Sequence, residues 1–191
     1  MDYVKEFERI YNTHIKREGA DKMLEYLRST DFFTAPASSR YHSNFPGGLV
    51  EHCVKAYNRF IKIIESEFGK EYVKQEGESL AIIALLHDVC KVNYYKIEMR
   101  NVKVDGNWVQ KPYYAVEDSL PYGHGEKSVY MISAFMKLTR EEAMAINWHM
   151  GAFDPRARDS NTINRAFRQH PLTLLFHIAD ICVSYFDEET R

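Results

Sequence analysis

One stretch of the sequence, Leu80 to Lys91, constrains the fold more than any other. Its first seven residues are all apolar, and His87 and Asp88 follow them directly. A helix that is apolar on every side is normally buried in the protein core. A buried carboxylate costs several kcal/mol unless a cation, a hydrogen-bond donor or a metal lies beside it. The stretch therefore predicts a central, buried helix that carries a His-Asp pair with a polar or metallic partner.

The pair alone leaves two interpretations open. In the first, His87 and Asp88 are a hydrogen-bonded pair in the core at the end of a helix. In the second, they bind a divalent metal ion, because an imidazole nitrogen and a carboxylate oxygen are common ligands for zinc, manganese and iron. The rest of the chain favours the second interpretation.

Length and composition limit the class of protein. A chain of 191 residues, 45% of them hydrophobic, favours one well-cored domain. Its net charge of −2 provides no basic field for a nucleic acid backbone, so such a partner would have to be held locally. Its three cysteines form no Cys-x-x-Cys pair, as is typical of reduced thiols in a cytoplasmic protein. No signal peptide or membrane-spanning run of about 20 apolar residues is recognisable, and we expect a cytoplasmic protein with no membrane partner.

Hydrophobic periodicity predicts helices on both sides of the central stretch. Asp21 is a candidate cap for the second helix, and Thr139 with Glu142 three residues later fits the sequence pattern of a capping box. Gly69 to Gly77 reads as a polar connection. The predicted helices cover residues 2–18, 22–29, 49–68, 80–91, 124–136, 139–150, 161–170 and 172–186.

The pattern changes between Asn93 and Gly123. Two segments rich in β-prone residues flank the dipeptide Asp105-Gly106, which is a strong local signal for a β-hairpin. The sequence therefore predicts an all-α fold with a small inserted β-hairpin around residues 97–116.

Histidines and aspartates recur at the ends or boundaries of the predicted helices. The second almost wholly apolar helix, 172–186, also contains an acid, Asp180. Six ligands suit two adjacent five- or six-coordinate ions, with Asp88 able to bridge them and water at the open positions. The six candidate metal ligands are His52, His87, Asp88, His124, His149 and Asp180.

The order of these residues resembles the metal-ligand pattern of the HD-domain superfamily of metal-dependent phosphohydrolases. That pattern is a histidine, a His-Asp doublet and a distal aspartate, and dinuclear members carry two further histidines before the distal aspartate. The resemblance covers roughly residues 40–187 and matches the six candidate ligands in turn. It implies an HD-type helical bundle as a single domain over residues 1–191, with residues 1–30 as an N-terminal helical cover and 40–187 as the core.

Two local features bear on the resemblance. Lys91 matches the lysine that commonly follows the doublet, and the phrase Gly47 to His52 resembles the approach to the first ligand in members with 3′ to 5′ exoribonuclease activity. The chain departs from the family at Val89-Cys90, where Ile-Gly is usual, a change that bears on the packing behind the metal. The OB-type domain of the exoribonucleases has no counterpart in this sequence, which favours a small substrate over RNA.

The resemblance implies a phosphohydrolase that uses a metal-activated water to hydrolyse a phosphate ester of a nucleotide or a related small molecule. Its cofactors would be two divalent ions, with manganese, iron, zinc, magnesium and nickel as candidates. Two alternatives stay open: a 3′ to 5′ nuclease acting on RNA or single-stranded nucleic acid, and a non-catalytic metal-bearing sensor or interaction module. The oligomeric state and the physiological substrate are not indicated by the sequence.

Within this interpretation, Asp88 and Lys91 are the candidate catalytic residues. Lys91 would neutralise the phosphate or hold a metal-bound carboxylate, although a surface lysine at a helix end is also a reasonable interpretation. The aromatic residues of the hairpin either stack on a base or pack as cross-strand pairs. The candidate substrate contacts are Arg40, His42, Lys127 and Ser128, which lie near the predicted ligands and near a helix N-terminus that favours anions.

Overall fold

The chain is mostly helical in its computed structural model, which describes residues 1–40, 43–158 and 160–187. The α-helices are α1 (Tyr3–His14), α2 (Ala20–Arg28), α3 (Gly48–Phe68), α4 (Lys70–Gln75), α5 (Gly77–Leu86), α6 (His124–Ser133), α7 (Arg140–Asn147), α8 (Ser160–Gln169) and α9 (Pro171–Cys182). Short 3-10 segments lie at Val89–Lys91, Gly151–Phe153 and Pro155–Arg158, and a π-helical turn follows α9 at Val183–Asp187. The prediction of a helical fold with a small hairpin is confirmed, and its HD-type identity stays a prediction.

The β-hairpin lies at the predicted position in the chain. Strands β1 (Tyr95–Val104) and β2 (Asn107–Val116) pair antiparallel, and Val104 pairs with Asn107 across the turn. Asp105 and Gly106 have φ angles of 49° and 86°. Positive φ at both central positions is the type I′ geometry, whose twist matches that of the two strands.

Helix α5 lies at the centre of the core. Every residue from Leu80 to Leu86 is fully buried. Helices α1, α3 and α7 pack around α5, so that it contributes to two hydrophobic clusters, one shared with α1 and α2 and the other with α9. This arrangement explains why α5 has no polar face. Within the described residues, no helix combines the length and hydropathy needed to cross a membrane.

The N-terminal helices pack on the core, with boundaries that differ from the predicted ones. Helix α1 ends at His14, and α2 begins at Ala20 after Gly19 in the left-handed region, with a φ of 89°. A Cβ at Gly19 would lie 1.8 Å from the carbonyl oxygen of Phe135. The close approach to this neighbouring segment thus sets the start of α2, and Asp21 lies inside its first turn instead of capping it.

Other predicted boundaries also shift. The segment predicted as a polar connection contains helix α4, which has no buried residue and therefore gives no hydrophobic pattern to detect. Helix α5 begins at Gly77 and ends at Leu86, and α7 ends at Asn147, so the predicted ligands that follow each helix lie in tight turns. Helix α9 ends at Cys182 and continues as the π-helical turn.

A buried ion pair joins the N-terminal segment to α7. Arg17 donates hydrogen bonds of 2.8 Å and 2.7 Å to the two carboxylate oxygens of Glu142, whose side chain is fully buried. Glu142 also accepts a 2.8 Å hydrogen bond from the backbone N–H of Thr139, which completes the predicted capping box. One carboxylate therefore supports both the helix start and the contact with Arg17.

Replacement of Glu142 by glutamine is expected to lower the free energy of unfolding by about 2 to 3 kcal/mol, because it leaves the partly buried guanidinium of Arg17 without its closest charge partner. Urea denaturation would measure the change. The matched control is Glu65→Gln, since Glu65 pairs with an exposed lysine, Lys70, at 3.5 Å. That variant is expected to lose no more than about 1 kcal/mol. Equal losses in the two variants would contradict a structural role for the Arg17 pair.

Candidate metal centre

The six predicted metal ligands lie together in the structure, and five helices deliver them. His52 is in the second turn of α3, and Asp180 is in the last turn of α9. His87 and Asp88 follow the end of α5, His124 begins α6, and His149 follows the end of α7. All are buried except His124, which is partly exposed. We call these six residues the ligand cluster.

Close packing of α6 against the end of α7 brings two of these histidines together. A Cβ at Gly125 would lie 2.3 Å from the carbonyl oxygen of Asn147, so only glycine allows this approach. The rings of His124 and His149 are consequently 5.2 Å apart between centroids. Helix α9 contributes from the other side, where Phe176 packs edge-on against His87 at 5.0 Å. Asp180 lies four residues after Phe176, on the same face of α9.

One half of the ligand cluster contains His52, His87 and Asp180. Nε2 of His52 lies 3.2 Å from Nε2 of His87 and 3.0 Å from Oδ1 of Asp180. Nε2 of His87 lies 3.8 Å from the same oxygen. Three ligand atoms on two helices and one turn thus face a common point, which is the spacing that one bound ion requires.

Asp88 connects this half to the other. Its Oδ1 lies 2.8 Å from Nε2 of His124 and 3.6 Å from Nε2 of His149. Its Oδ2 faces the first half, 3.4 Å from Nε2 of His87 and 3.7 Å from Nε2 of His52. Each oxygen of this carboxylate therefore faces one half of the cluster, which is the position of a carboxylate that bridges two metal ions.

Hydrogen bonds to the backbone fix the orientation of two histidine rings. Nδ1 of His87 lies 2.9 Å from the carbonyl oxygen of Ala84, and Nδ1 of His149 lies 2.7 Å from that of Ile146. A carbonyl oxygen can only accept, so each Nδ1 carries the proton and donates it. In the neutral rings, Nε2 then presents a lone pair to the cluster, which is the usual arrangement of a metal-binding histidine.

A buried carboxylate oxygen in the cluster lacks a hydrogen bond. Among the described residues, Oδ1 of Asp180 accepts none, although it is buried and Nε2 of His52 is close. Buried polar atoms are nearly always satisfied, and exceptions need a physical reason. A divalent cation held by the imidazole and carboxylate groups would satisfy this oxygen, so the residues of the cluster fit a metal ion.

Charges around Asp88 keep its carboxylate ionised. Burial alone would raise its pKa, but the positive charge of Lys91 and the neighbouring imidazoles hold that pKa well below the ordinary value. Nζ of Lys91 lies 2.6 Å from Oδ2 of Asp88. Burial alone would lower the pKa of Lys91, and the carboxylate raises it above the ordinary value. Asp88 is therefore a carboxylate anion, and Lys91 is a permanent cation beside it.

Burial and the nearby carboxylates shift the pKa values of the histidines in different directions. Burial lowers the pKa of both His87 and His124, which favours the neutral ring that a metal requires. Burial also opposes the charge on His149, but the negative carboxylate of Asp88, 3.6 Å from Nε2 of His149, raises the pKa of His149 above the ordinary value. In the absence of metal, His149 is thus the ring of these three that most readily binds a proton.

A cavity of about 640 Å³ opens above the ligand cluster. The ligands His52, Asp88, His124, His149 and Asp180 line it together with Lys91. Its remaining walls are largely aromatic and apolar, which is common for sites that bind small organic molecules. These wall residues include Tyr94, Tyr95, Val116, Met150, Phe153, His177, Ile181 and Tyr185.

Three of the predicted substrate contacts, Arg40, Lys127 and Ser128, are not among the residues that line this cavity. Arg40 is exposed, and His42 falls outside the described residues. Nζ of Lys127 is buried and lies 2.6 Å from Oδ1 of Asp118 and 4.9 Å from the ring centre of Tyr94. Ser128 is fully buried and accepts a hydrogen bond from a backbone N–H. Their role in binding substrate stays a prediction.

Sequence reasoning missed two residues at the site. Nδ1 of His177 lies 2.6 Å from the carbonyl oxygen of His149, to which it donates, and its ring lines the cavity. Cys90 lies beside His124 and forms a further potential metal-binding group with Asp88 and His124. The spacing of Cys90, two residues after Asp88, was a feature of the sequence that could have indicated its place at the site. The contact between His177 and His149 depends on how α9 packs against α7 and could not be read from the sequence.

The chain matches no family model, no curated protein and no solved structure. What the site does is therefore inferred from the geometry of its own residues.

Divalent manganese is expected to raise the midpoint of thermal unfolding of the metal-free protein, because an ion that binds only the folded state stabilises it. The gain is about 2.7 kcal/mol per site at a concentration 100-fold above the dissociation constant. The variant Asp180→Ala should lose much of this gain. The control Asp118→Ala, which removes a carboxylate that pairs with Lys127, should keep it. An equal gain in the two variants would show that Asp180 does not bind the metal.

Proposed function

We propose that the protein is an HD-type, metal-dependent phosphohydrolase that hydrolyses a phosphate ester of a nucleotide or a related small molecule. The observation that carries this proposal is the convergence of all six predicted ligands on one buried site, with the Asp88 carboxylate between its two halves. The open side of that site faces a cavity large enough for a small organic substrate.

Each half of the cluster would hold one divalent ion. His52, His87 and Asp180 would bind the first, His124 and His149 would bind the second, and Asp88 would bind both. When bound, two such ions supply a water of lowered pKa and positive charge for the phosphoryl oxygens. The chain's own contribution is to hold the six ligand atoms in place and to leave the positions facing the cavity open.

Lys91 would hold and complement the bridging carboxylate. Its ammonium group donates to Oδ2 of Asp88, and the same side chain lines the cavity. A fixed cation that needs no reorganisation stabilises negative charge that develops on a transferring phosphoryl group. Lys91 therefore keeps Asp88 oriented and adds positive charge near the place where the phosphate would lie.

The aromatic residues in the cavity walls favour a substrate that contains a planar ring. Tyr94 and Tyr95 line one side, with their rings 5.0 Å apart in an edge-on arrangement, and Phe153 lines the cavity too. Aromatic faces bind planar, apolar groups such as nucleobases by stacking. A nucleotide would combine this ring with a phosphate near Lys91.

A nuclease acting on single-stranded nucleic acid is the second candidate, and the hairpin is the observation that favours it. Tyr95 and Val116 line the cavity at the base of the hairpin, and the strands continue outward to Trp108, which is 71% exposed. Lys103 pairs with Trp108 across the strands, so a cation accompanies this exposed ring. Stacking rings beside cations are the features that bind single strands without sequence preference.

Hydrolysis assays with added manganese would test the proposal on nucleoside monophosphates, nucleoside triphosphates, a phosphodiester and short RNA. Cleavage of a nucleotide is expected, with no detectable turnover in Asp88→Asn and a loss of at least about 100-fold in kcat for Lys91→Gln. The control Lys70→Gln changes an exposed lysine on α4 and should keep full activity.

The assay separates the candidates. Cleavage of RNA alone would favour the nuclease. Cleavage that survives in Asp88→Asn would contradict the metal-dependent mechanism. No cleavage by a protein shown to hold metal would favour a sensor or interaction module over an enzyme.

A further inference from the structure

The side chain of Arg156 lies between the two segments that carry His124 and His149. Its guanidinium is partly buried and packs over the ring of Trp148, 4.8 Å from the ring centre. Nη1 donates a 3.1 Å hydrogen bond to Oδ1 of Asn147, and Nη2 donates one of 3.1 Å to the carbonyl oxygen of the same residue. Arg156 thus contacts the two residues that directly precede His149 in the chain.

The same guanidinium contacts the start of α6. Nη1 of Arg156 lies 3.2 Å from Oε2 of Glu126, and this oxygen accepts a 3.3 Å hydrogen bond from the backbone N–H of Gly123. A Cβ at Gly123 would lie 2.6 Å from Nε of Arg156, so glycine allows the guanidinium to pack against the backbone here. Gly123 and Glu126 lie on either side of His124 in the chain. Arg156 therefore holds the backbone around this ligand as well.

A buried carboxylate fixes the guanidinium in turn. The side chain of Asp154 is 1% exposed, and it accepts hydrogen bonds of 3.0 Å from Nε and 2.6 Å from Nη2 of Arg156. Burial alone would raise the pKa of Asp154, but the hydrogen bonds and the positive charge of Arg156 hold that pKa below the ordinary value. A two-pronged pair between arginine and a carboxylate favours one orientation of the planar guanidinium. Arg156 is therefore a fixed link between α6 and α7.

The contacts of Arg156 concern one half of the ligand cluster. They are made with residues next to His124 and His149, whereas the ligands of the other half lie on α3, after α5 and on α9. The rings of His124 and His149 are 5.2 Å apart between centroids, and this separation depends on how the start of α6 packs against the end of α7. Groups that hold metal ligands in place are typically worth 10- to 100-fold in metal affinity.

We propose that Arg156 is a positioning residue for the second metal ion, the one that His124, His149 and Asp88 would hold. By joining the start of α6 to the end of α7, it sets the distance between the two imidazoles. Loss of this link weakens the second ion and leaves the ion in the other half of the cluster unchanged. The proposal rests on the metal centre described under the proposed function.

Manganese titration of the metal-free protein tests the proposal, with the free ion followed by electron paramagnetic resonance. The variant Asp180→Ala removes a ligand of the first ion, so the binding that remains reports on the second. The variant His124→Ala does the reverse. Addition of Arg156→Gln should weaken manganese binding at least about 10-fold in the Asp180→Ala background. In the His124→Ala background it should change the affinity by less than about 2-fold.

The matched control is Arg59→Gln. Arg59 also forms a two-pronged ion pair, with Asp187, and its side chain is 33% exposed against 27% for Arg156. Loss of this pair removes a comparable interaction from a different part of the structure. The control should therefore leave the manganese affinity unchanged in both backgrounds.

The outcomes distinguish this proposal from the metal centre on which it rests. Equal losses in the two backgrounds would show a general effect on stability and overturn the positioning role, as would no loss in either. Should Arg156→Gln not fold, Arg156→Lys gives the same decision, since lysine keeps the charge but cannot form the two-pronged bond. A wild type that binds no manganese would instead overturn the metal centre itself, and with it this proposal.

Discussion

The structure depends on a carboxylate buried at the end of an apolar helix. Asp88 is 1% exposed and follows α5, whose side chains are buried on every face. An ion placed there without partners would cost far more than the protein's net stability. The compensation comes from a lysine one turn away, from the adjacent imidazole of His87 and from three imidazoles on other segments. The segments after α5, in α3, at the start of α6 and after α7 thus pack around a charge that their side chains help to neutralise.

The same arrangement leaves the cluster incomplete without a cation. Nε2 of His52 and Nε2 of His87 lie 3.2 Å apart and face the same point as Oδ1 of Asp180. That oxygen accepts no hydrogen bond from the described residues. A cation bound there would satisfy it, so folding and metal binding are expected to be linked. The buried Arg17 and Glu142 pair holds α7, and with it the neighbourhood of His149, independently of the metal.

Much of this could be predicted from the sequence where the signal is local. The apolar run before His87 predicts a buried helix, Asp105-Gly106 predicts the hairpin, and Thr139 with Glu142 predicts the cap of α7. The six candidate ligands could be selected from the sequence because their residue types, their order and their positions at helix boundaries agree with one metal-binding pattern, and the structure brings them together.

What could not be predicted depends on contacts between distant segments. Glycine is required at position 125 because the backbone of Asn147 packs directly against it. Lys127 forms an ion pair with Asp118, which follows the hairpin in the chain. The contact between Cys90 and His124 joins two segments separated by the hairpin. Helix α4 escaped prediction for a different reason, since a short helix with no buried side chain gives no hydrophobic period.

The most direct test of a two-metal site at Asp88 is a crystal structure of the manganese-loaded protein with anomalous scattering measured at the manganese edge. Two anomalous peaks about 3.5 to 4 Å apart are expected, with the Asp88 carboxylate in contact with both. A single peak that Asp88 does not touch, or no peak within the ligand cluster, would contradict such a site.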